Sequence, residues 1–257
     1  MKLTVIYLLA LLTYGCAAKK LAVDHADTII ELEVEKRLPL YSRQKEELSR
    51  DIDIFLNNKK MAAKDMLPVL DSIKLDQPQK IDAQYAVLMK FFRKISLDFS
   101  LVMAKYMTQL DKKQQVELFE NLNKENKLAS KKDPTERREA LEDKIEKILR
   151  SISKDQKKIL KTYDAYFISQ HKIKVEKRRE MYAQFKVILA QNIPTATKRD
   201  QLQSLYTAYY DDQTKSNKSL EIIHKFIPTI SRRQKEAFRT QTQEIKEILN
   251  FFIQAKY

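Results

Sequence analysis

Apolar residues recur along this chain at steps of three and four. The clearest run is Ile81, Tyr85, Leu88, Phe92, Ile95, Phe99, Val102 and Tyr106, whose alternating steps of four and three draw one seam along a helix. The run predicts a helix over 79–110, about 48 Å long at ~1.5 Å per residue. Phe238, Ile245, Leu249 and Phe252 mark a second apolar face near the C-terminus. Shorter amphipathic stretches lie around 27–38 and 136–150. The period is helical throughout, so strands are not expected.

Four of these helices open on the same pattern, an apolar residue followed four positions later by Gln. The copies are Leu40-Tyr41-Ser42-Arg43-Gln44, Leu110-Asp111-Lys112-Lys113-Gln114, Ile152-Ser153-Lys154-Asp155-Gln156 and Ile230-Ser231-Arg232-Arg233-Gln234. In three of them Asp or Ser stands three residues before Gln. That is a capping box: the short side chain takes the amide of the Gln, and Gln reaches back to the amide of the cap. The preceding Leu or Ile then acts as a staple, so Leu40, Leu110, Ile152 and Ile230 are expected to be buried. Tyr41 stands at the cap position of the first copy, where a weaker or shifted cap is expected.

Spacing turns the motif into an architecture. Gln44 and Gln114 are 70 residues apart, Gln156 and Gln234 are 78, and a proline, Pro78 or Pro194, falls near the middle of each interval. Arms of nearly equal length return to their starting level. The reading is therefore all-α: an elongated bundle of long antiparallel helices, built as a tandem repeat of two helical hairpins with tips near 76–78 and 192–197. The halves are 16–132 and 133–257, joined near Asp133-Pro134. Each hairpin should bring its own two Gln residues to one end, as caps of backbone amides that line no pocket. Pro68 is the residue placed to break the first arm.

Composition narrows the function classes. The chain has one glycine, where average usage would give roughly 18. Phosphate-loop and dinucleotide sites need several, so they are excluded. That glycine, Gly15, sits beside the only cysteine, Cys16, after Lys2 and the short apolar run Thr4–Leu12. The run is too short to span a bilayer, which takes ~20 residues, and reads as a secretory signal over 1–15. It resembles a bacterial lipoprotein signal. The resemblance implies cleavage before Cys16, acylation of that cysteine (palmitate among its acyl chains) and, with Ala17 following, sorting to the outer membrane. With Cys16 lipidated, no thiol is left for a disulfide.

The Leu/Ile-Ser/Asp-x-x-Gln pattern is similar to the Leu-Thr-x-x-Gln motif of the Spy-like periplasmic chaperones, which implies a helical cradle with a basic concave face. Over nearly the whole chain the layout also resembles a family of uncharacterised bacterial lipoproteins of the envelope. The shared parts are the lipid signal, the Gln-motif helices and Leu67-Pro68-Val69-Leu70. They continue with an Asn-bearing helix (Asn121, Asn123 and Asn126), Arg137-Arg138 and the basic-aromatic stretch 177–185. These resemblances imply an exported protein, anchored by lipid to the outer membrane and facing the periplasm.

No catalytic set emerges. His25, His171 and His224 are far apart, and no His lies three or four residues from another. Asp24, His25 and Asp27 are the one local group with metal-ligating side chains, and solvated helix-start residues are the better reading. No nucleophile, base and orienting group stand together. Neither an enzyme, a metal, a cofactor nor a small-molecule substrate is expected. The chain carries a formal net charge of +14, mostly in its second half. Its densest basic run is Lys172, Lys174, Lys177, Arg178 and Arg179, the candidate binding surface. Reflection through the second tip sets Arg178 against Asp212 and Arg179 against Asp211. The expected function is a non-enzymatic lipoprotein that binds other envelope polypeptides, chaperone-like or in a stress response. The alternative is a structural or assembly partner of an outer-membrane complex. Nucleic acid is not an expected partner of an exported protein.

Overall fold

The computed structural model describes residues 21–131, 134–214 and 218–257, and among these there is no strand. The helices are α1 (Ala26–Glu35), α2 (Ser42–Ser72), α3 (Ile81–Thr108), α4 (Lys112–Ser130) and α5 (Pro134–Leu149). They continue with α6 (Lys154–Lys161), α7 (Asp164–Ala190), α8 (Thr195–Thr214), α9 (Lys218–Phe226) and α10 (Arg232–Gln254). Single 3₁₀ turns stand at Pro78–Lys80 and Ile227–Thr229. The protein is all-α. No helix among the described residues is long and apolar enough to cross a membrane.

The first hairpin forms because α2 and α3 each present an apolar stripe and the segment between them turns the chain back. Phe55 meets Phe99 edge to face, with ring centroids 5.2 Å apart. Around this pair the arms are joined by Lys59 Nζ to Asp98 Oδ2 (2.5 Å) and by Lys105 Nζ and Tyr106 Oη, both donating to Asp51 Oδ2 (2.5 and 2.8 Å). Pro68 does not break the arm: α2 runs on through it to Ser72.

α3 has a second buried face. Ser96, Ser100 and Ala104, four residues apart, are at most 3% exposed. Their small side chains let α8 pack against α3, where Ser100 Oγ donates to Gln203 Oε1 (2.6 Å) and Gln203 Nε2 donates to the Leu97 carbonyl (3.2 Å). α7 and α8 pack together, with the Phe185 and Tyr206 rings 5.0 Å apart. α4 lies on α7, and α10 lies on α2 and α5. One hydrophobic core therefore crosses the boundary between the halves, from Leu48, Ile52 and Tyr106 to Phe185 and Leu202.

The first arm of the second half is interrupted, unlike those of the first half: α6 ends at Lys161 and α7 begins at Asp164. The return arm is described as α8 to Thr214 and α9 from Lys218. The short segments α6 and α9 pack on each other and share a separate cluster with α5, made by Leu149, Leu160 and Phe226. The long segments α7 and α8 join the main core instead. α5 is followed by Arg150, the only non-glycine residue at positive φ (63°) among the described residues. With its single glycine at position 15, the chain has no glycine to place there.

Candidate functional site

The four glutamines meet in two pairs. In the second, Gln156 Nε2 donates to Gln234 Oε1 (3.0 Å) and Gln234 Nε2 donates to Gln156 Oε1 (2.9 Å). Each amide also donates to the carbonyl five residues before its partner, Gln156 to Thr229 (3.1 Å) and Gln234 to Ser151 (2.9 Å). In the first pair Gln114 Nε2 donates to Gln44 Oε1 (2.7 Å) and to the Pro39 carbonyl (2.6 Å), and Gln44 Nε2 to the Gln109 carbonyl (3.2 Å). The same five-residue offset recurs in all four. Every Gln Oε1 also accepts the amide of its own cap, from Tyr41, Asp111, Ser153 and Ser231 at 2.8 to 3.0 Å. The result is a clasp that ties two helix starts and satisfies their exposed amides at once.

The caps follow their sequences. Asp111, Ser153 and Ser231 each accept the amide of the Gln three residues on, at 2.8, 3.1 and 3.2 Å. Tyr41 accepts none; its hydroxyl instead donates to Asp111 Oδ2 across the clasp (2.8 Å). The Gln114 amide, and then the Tyr41 hydroxyl, hold the Asp111 carboxyl below its ordinary range. The staples Leu40 and Leu110 are buried, whereas Ile152 and Ile230 are only half-buried. Gln114, Gln156 and Gln234 are at most 4% exposed and their groups are engaged, so the clasps are structural. One expectation fails: Gln114 does border a cleft of about 330 Å³, beside Glu35, Lys45 and Lys113. Its amide is already taken by Pro39 and Gln44.

The basic run does not make one surface. Its five residues are distributed around α7, which packs on α4, α5 and α8. Lys172 and Arg179 are exposed on one side; Lys174, Lys177 and Arg178 are half-buried on the other. Arg178 lies close enough to Glu125 to help lower its carboxyl pKa. Arg179 bonds Glu176 on its own helix, while Asp211, expected opposite it, receives Arg93 Nε of α3 at 2.6 Å. The side chain of Asp212, the whole signal segment and Cys16 lie outside the described residues. No group of three or more His, Cys, Asp or Glu that could hold a metal occurs among the described residues.

Sequence reasoning missed an apolar concavity. A pocket of about 300 Å³ opens where the tip of the first hairpin meets the clasped end of the second half. Leu70 of α2, Leu88 and Phe92 of α3, and Phe238 and Ile245 of α10 wall it, with Ile148 and Ile223 closing it from α5 and α9. No Asp, Glu, His, Lys, Arg or Cys lines it. Polar contacts join the same helices beside it: His224 Nε2 to Asp82 Oδ1 (2.6 Å), Arg239 to Asp76 (3.9 Å), Arg150 to Glu244 (4.0 Å), and Lys246 to Asp71.

Two buried polar residues line this pocket, Gln84 and Gln241, 9% and 5% exposed. Gln84 Nε2 donates to the Ser72 carbonyl, and Gln241 Nε2 donates to Glu244 Oε1 (3.3 Å). Those bonds fix both carboxamides, because flipping either would set oxygen against oxygen. Each Oε1 is left with no hydrogen-bond partner. A buried acceptor in that state costs about 1–3 kcal/mol. A signal for this existed. The stripe on α10 steps from Phe238 to Ile245, and the place it skips is held by Gln241.

No protein-family model matches the chain, and neither a curated protein nor a solved structure matches it.

Proposed function

We propose that the chain is a non-enzymatic protein of the cell envelope, anchored through a lipid on Cys16 at the outer membrane and facing the periplasm, that binds other polypeptides. The observation that carries the binding reading is the pocket. It is a concavity walled by aliphatic and aromatic side chains and lined by no acid, base or thiol, suited to holding a partner and not to transforming it. Its size favours part of a long chain over a whole small ligand. About 300 Å³ is the lower end of small-molecule pockets, ~300–1,000 Å³. It is about twice the ~150 Å³ cavity that accepts benzene, room for a large side chain and a neighbour. The net charge of +14 draws acidic segments toward the surface at low ionic strength. The lipid anchor rests on the resemblance carried by Gly15 and Cys16.

The test mixes the full-length chain at equimolar amounts with a chemically denatured enzyme in low salt and follows light scattering on dilution. The expected result is suppressed aggregation, lost on Leu88→Asp in the pocket wall while the helical circular dichroism is kept. Scattering as strong as in the absence of the chain overturns the reading.

A further inference from the structure

The two clasps are built alike and charged differently. Take the residues from five before to three after each glutamine. The first clasp has four bases there, Arg43, Lys45, Lys112 and Lys113, and four acids, Glu46, Glu47, Asp111 and Glu117. The second has six bases, Lys154, Lys157, Lys158, Arg232, Arg233 and Lys235, against only Asp155 and Glu236. Both use the same five-residue offset to the partner's carbonyl, so the neutral clasp shows that this geometry needs no excess of positive charge. Helix stability does not ask for it either. Lys154, Arg232 and Arg233 stand in the first turns of α6 and α10, where the positive end of the helix dipole disfavours a cation.

These charges are presented to solvent. All but the half-buried Lys235 are exposed. Lys157 meets Glu142 at 3.6 Å, Lys158 meets Asp155 at 3.1 Å and Arg232 meets Glu236 at 3.3 Å. Lys154, Arg233 and Lys235 make no ion pair among the described residues. The Arg232 side chain is 95% exposed and that of Lys158 78%. Side chains standing that clear wall no groove; they fit a broad surface. The apolar residues of this end are occupied elsewhere, since Ile152 and Ile230 pack with Leu149, Leu160 and Phe226. Among the described residues no exposed large apolar side chain lies within 147–161 or 229–239. A specific protein interface has an apolar or aromatic centre. This end offers charge without one, which is what a plane of anionic headgroups takes.

We infer that the end of the molecule built by the second clasp is a contact surface for an anionic phospholipid bilayer, held by charge to the headgroup phosphates. The inference uses none of the pocket residues and stands apart from the polypeptide-binding reading. Charge alone holds the contact, so a salt wash releases it, and it does not keep an unacylated chain in a salt-washed membrane fraction.

The test uses the full-length chain carrying Cys16→Ser, so that no acyl group contributes. It is sedimented with vesicles of phosphatidylcholine, or of phosphatidylcholine with one third phosphatidylglycerol, in low and in high salt. The expected result is retention on the anionic vesicles in low salt, little on the neutral ones, and release in high salt. Lys154→Gln/Arg232→Gln/Arg233→Gln should weaken partitioning to the anionic vesicles about a hundredfold, at roughly fivefold for each basic residue near the surface. Arg43→Gln/Lys112→Gln/Lys113→Gln removes the same charge from first-turn positions of the first clasp and should leave partitioning nearly unchanged. If the second-clasp variant loses its helical circular dichroism, Lys157→Gln/Lys158→Gln, outside the caps, should weaken partitioning about tenfold. Equal losses in the variants of both clasps would assign the attraction to the net charge of the whole chain and overturn the inference. Equal retention on neutral vesicles overturns it too. Binding of soluble polyglutamate with no preference for anionic vesicles makes the partner an acidic polypeptide, and likewise overturns it.

Discussion

Burying a glutamine is least costly where its oxygen and both N–H groups find partners, and Gln156 and Gln234 achieve this by serving one another. Replacing one by leucine strands the other and removes a cap. Gln156→Leu should destabilise by about 2–4 kcal/mol. Gln156→Leu/Gln234→Leu leaves no stranded amide, so its loss should fall short of the sum of the singles by at least ~1 kcal/mol. Urea unfolding of the four proteins closes the cycle, and strict additivity would show that the clasp has no energetic reality. The four glutamines, their caps and their pairing were legible because capping chemistry is local and the arms are equal in length. The amide-to-amide bond was not legible, since it arises only when two helix starts approach. Arg37 and Glu125 supply a pH test. Burial alone would raise the Glu125 carboxyl, but the Arg37 guanidinium, donating at 2.8 and 3.2 Å, outweighs it and holds the carboxyl below its ordinary value. A depressed folded pKa stabilises the protein above the unfolded pKa, ~4.3, and that contribution is lost as pH falls through the folded value. Glu125→Gln should therefore lower the melting temperature at pH 7 and flatten its fall below about pH 4. Parallel melting curves across pH for both proteins would refute this.

Among the elements, the one read best was α3, whose seam of large apolar residues announced itself at every turn. Its other face escaped notice because Ser96, Ser100 and Ala104 add nothing to an apolar count; their smallness matters only to α8 lying against them. The interruption of the second half was hidden for a similar reason. Thr162-Tyr163 contains neither glycine nor proline, so the break before α7 has no local marker. α7 drew attention for its lysines and arginines, but a helix packed on three neighbours distributes its charges around its circumference. At the end of α5 the left-handed backbone of Arg150 carries a steric penalty of ~1–2 kcal/mol that glycine would not. Its side chain is 64% exposed and reaches Glu244 only at 4.0 Å. Arg150→Gly should therefore stabilise the protein by about 1 kcal/mol, seen as a higher midpoint in urea; a lower midpoint would mean that the Glu244 contact outweighs the strain.

On the scale of the whole molecule, the proposed lipid anchor rests on the first sixteen residues. Cys16→Ser should move the protein from the membrane fraction to the soluble one, and continued sedimentation with membranes would refute the lipid anchor. The interior has its own consequence in time. Residues 44–114 close wholly before residues 156–234 begin, so the two clasped loops are neither nested nor interlaced. A loop of 78 residues is hardly more costly to close than one of 70. As the chain emerges from its N-terminus, the first loop can shut while the second is still unmade. The pocket draws its walls from both, and its floor exists only after α10 has settled on α2. The polypeptide binding proposed for the pocket is then the last property to be acquired during maturation. In a refolding time course, suppression of a client's aggregation should lag behind the recovery of helix, and a half-made chain should offer nothing for a partner to grip.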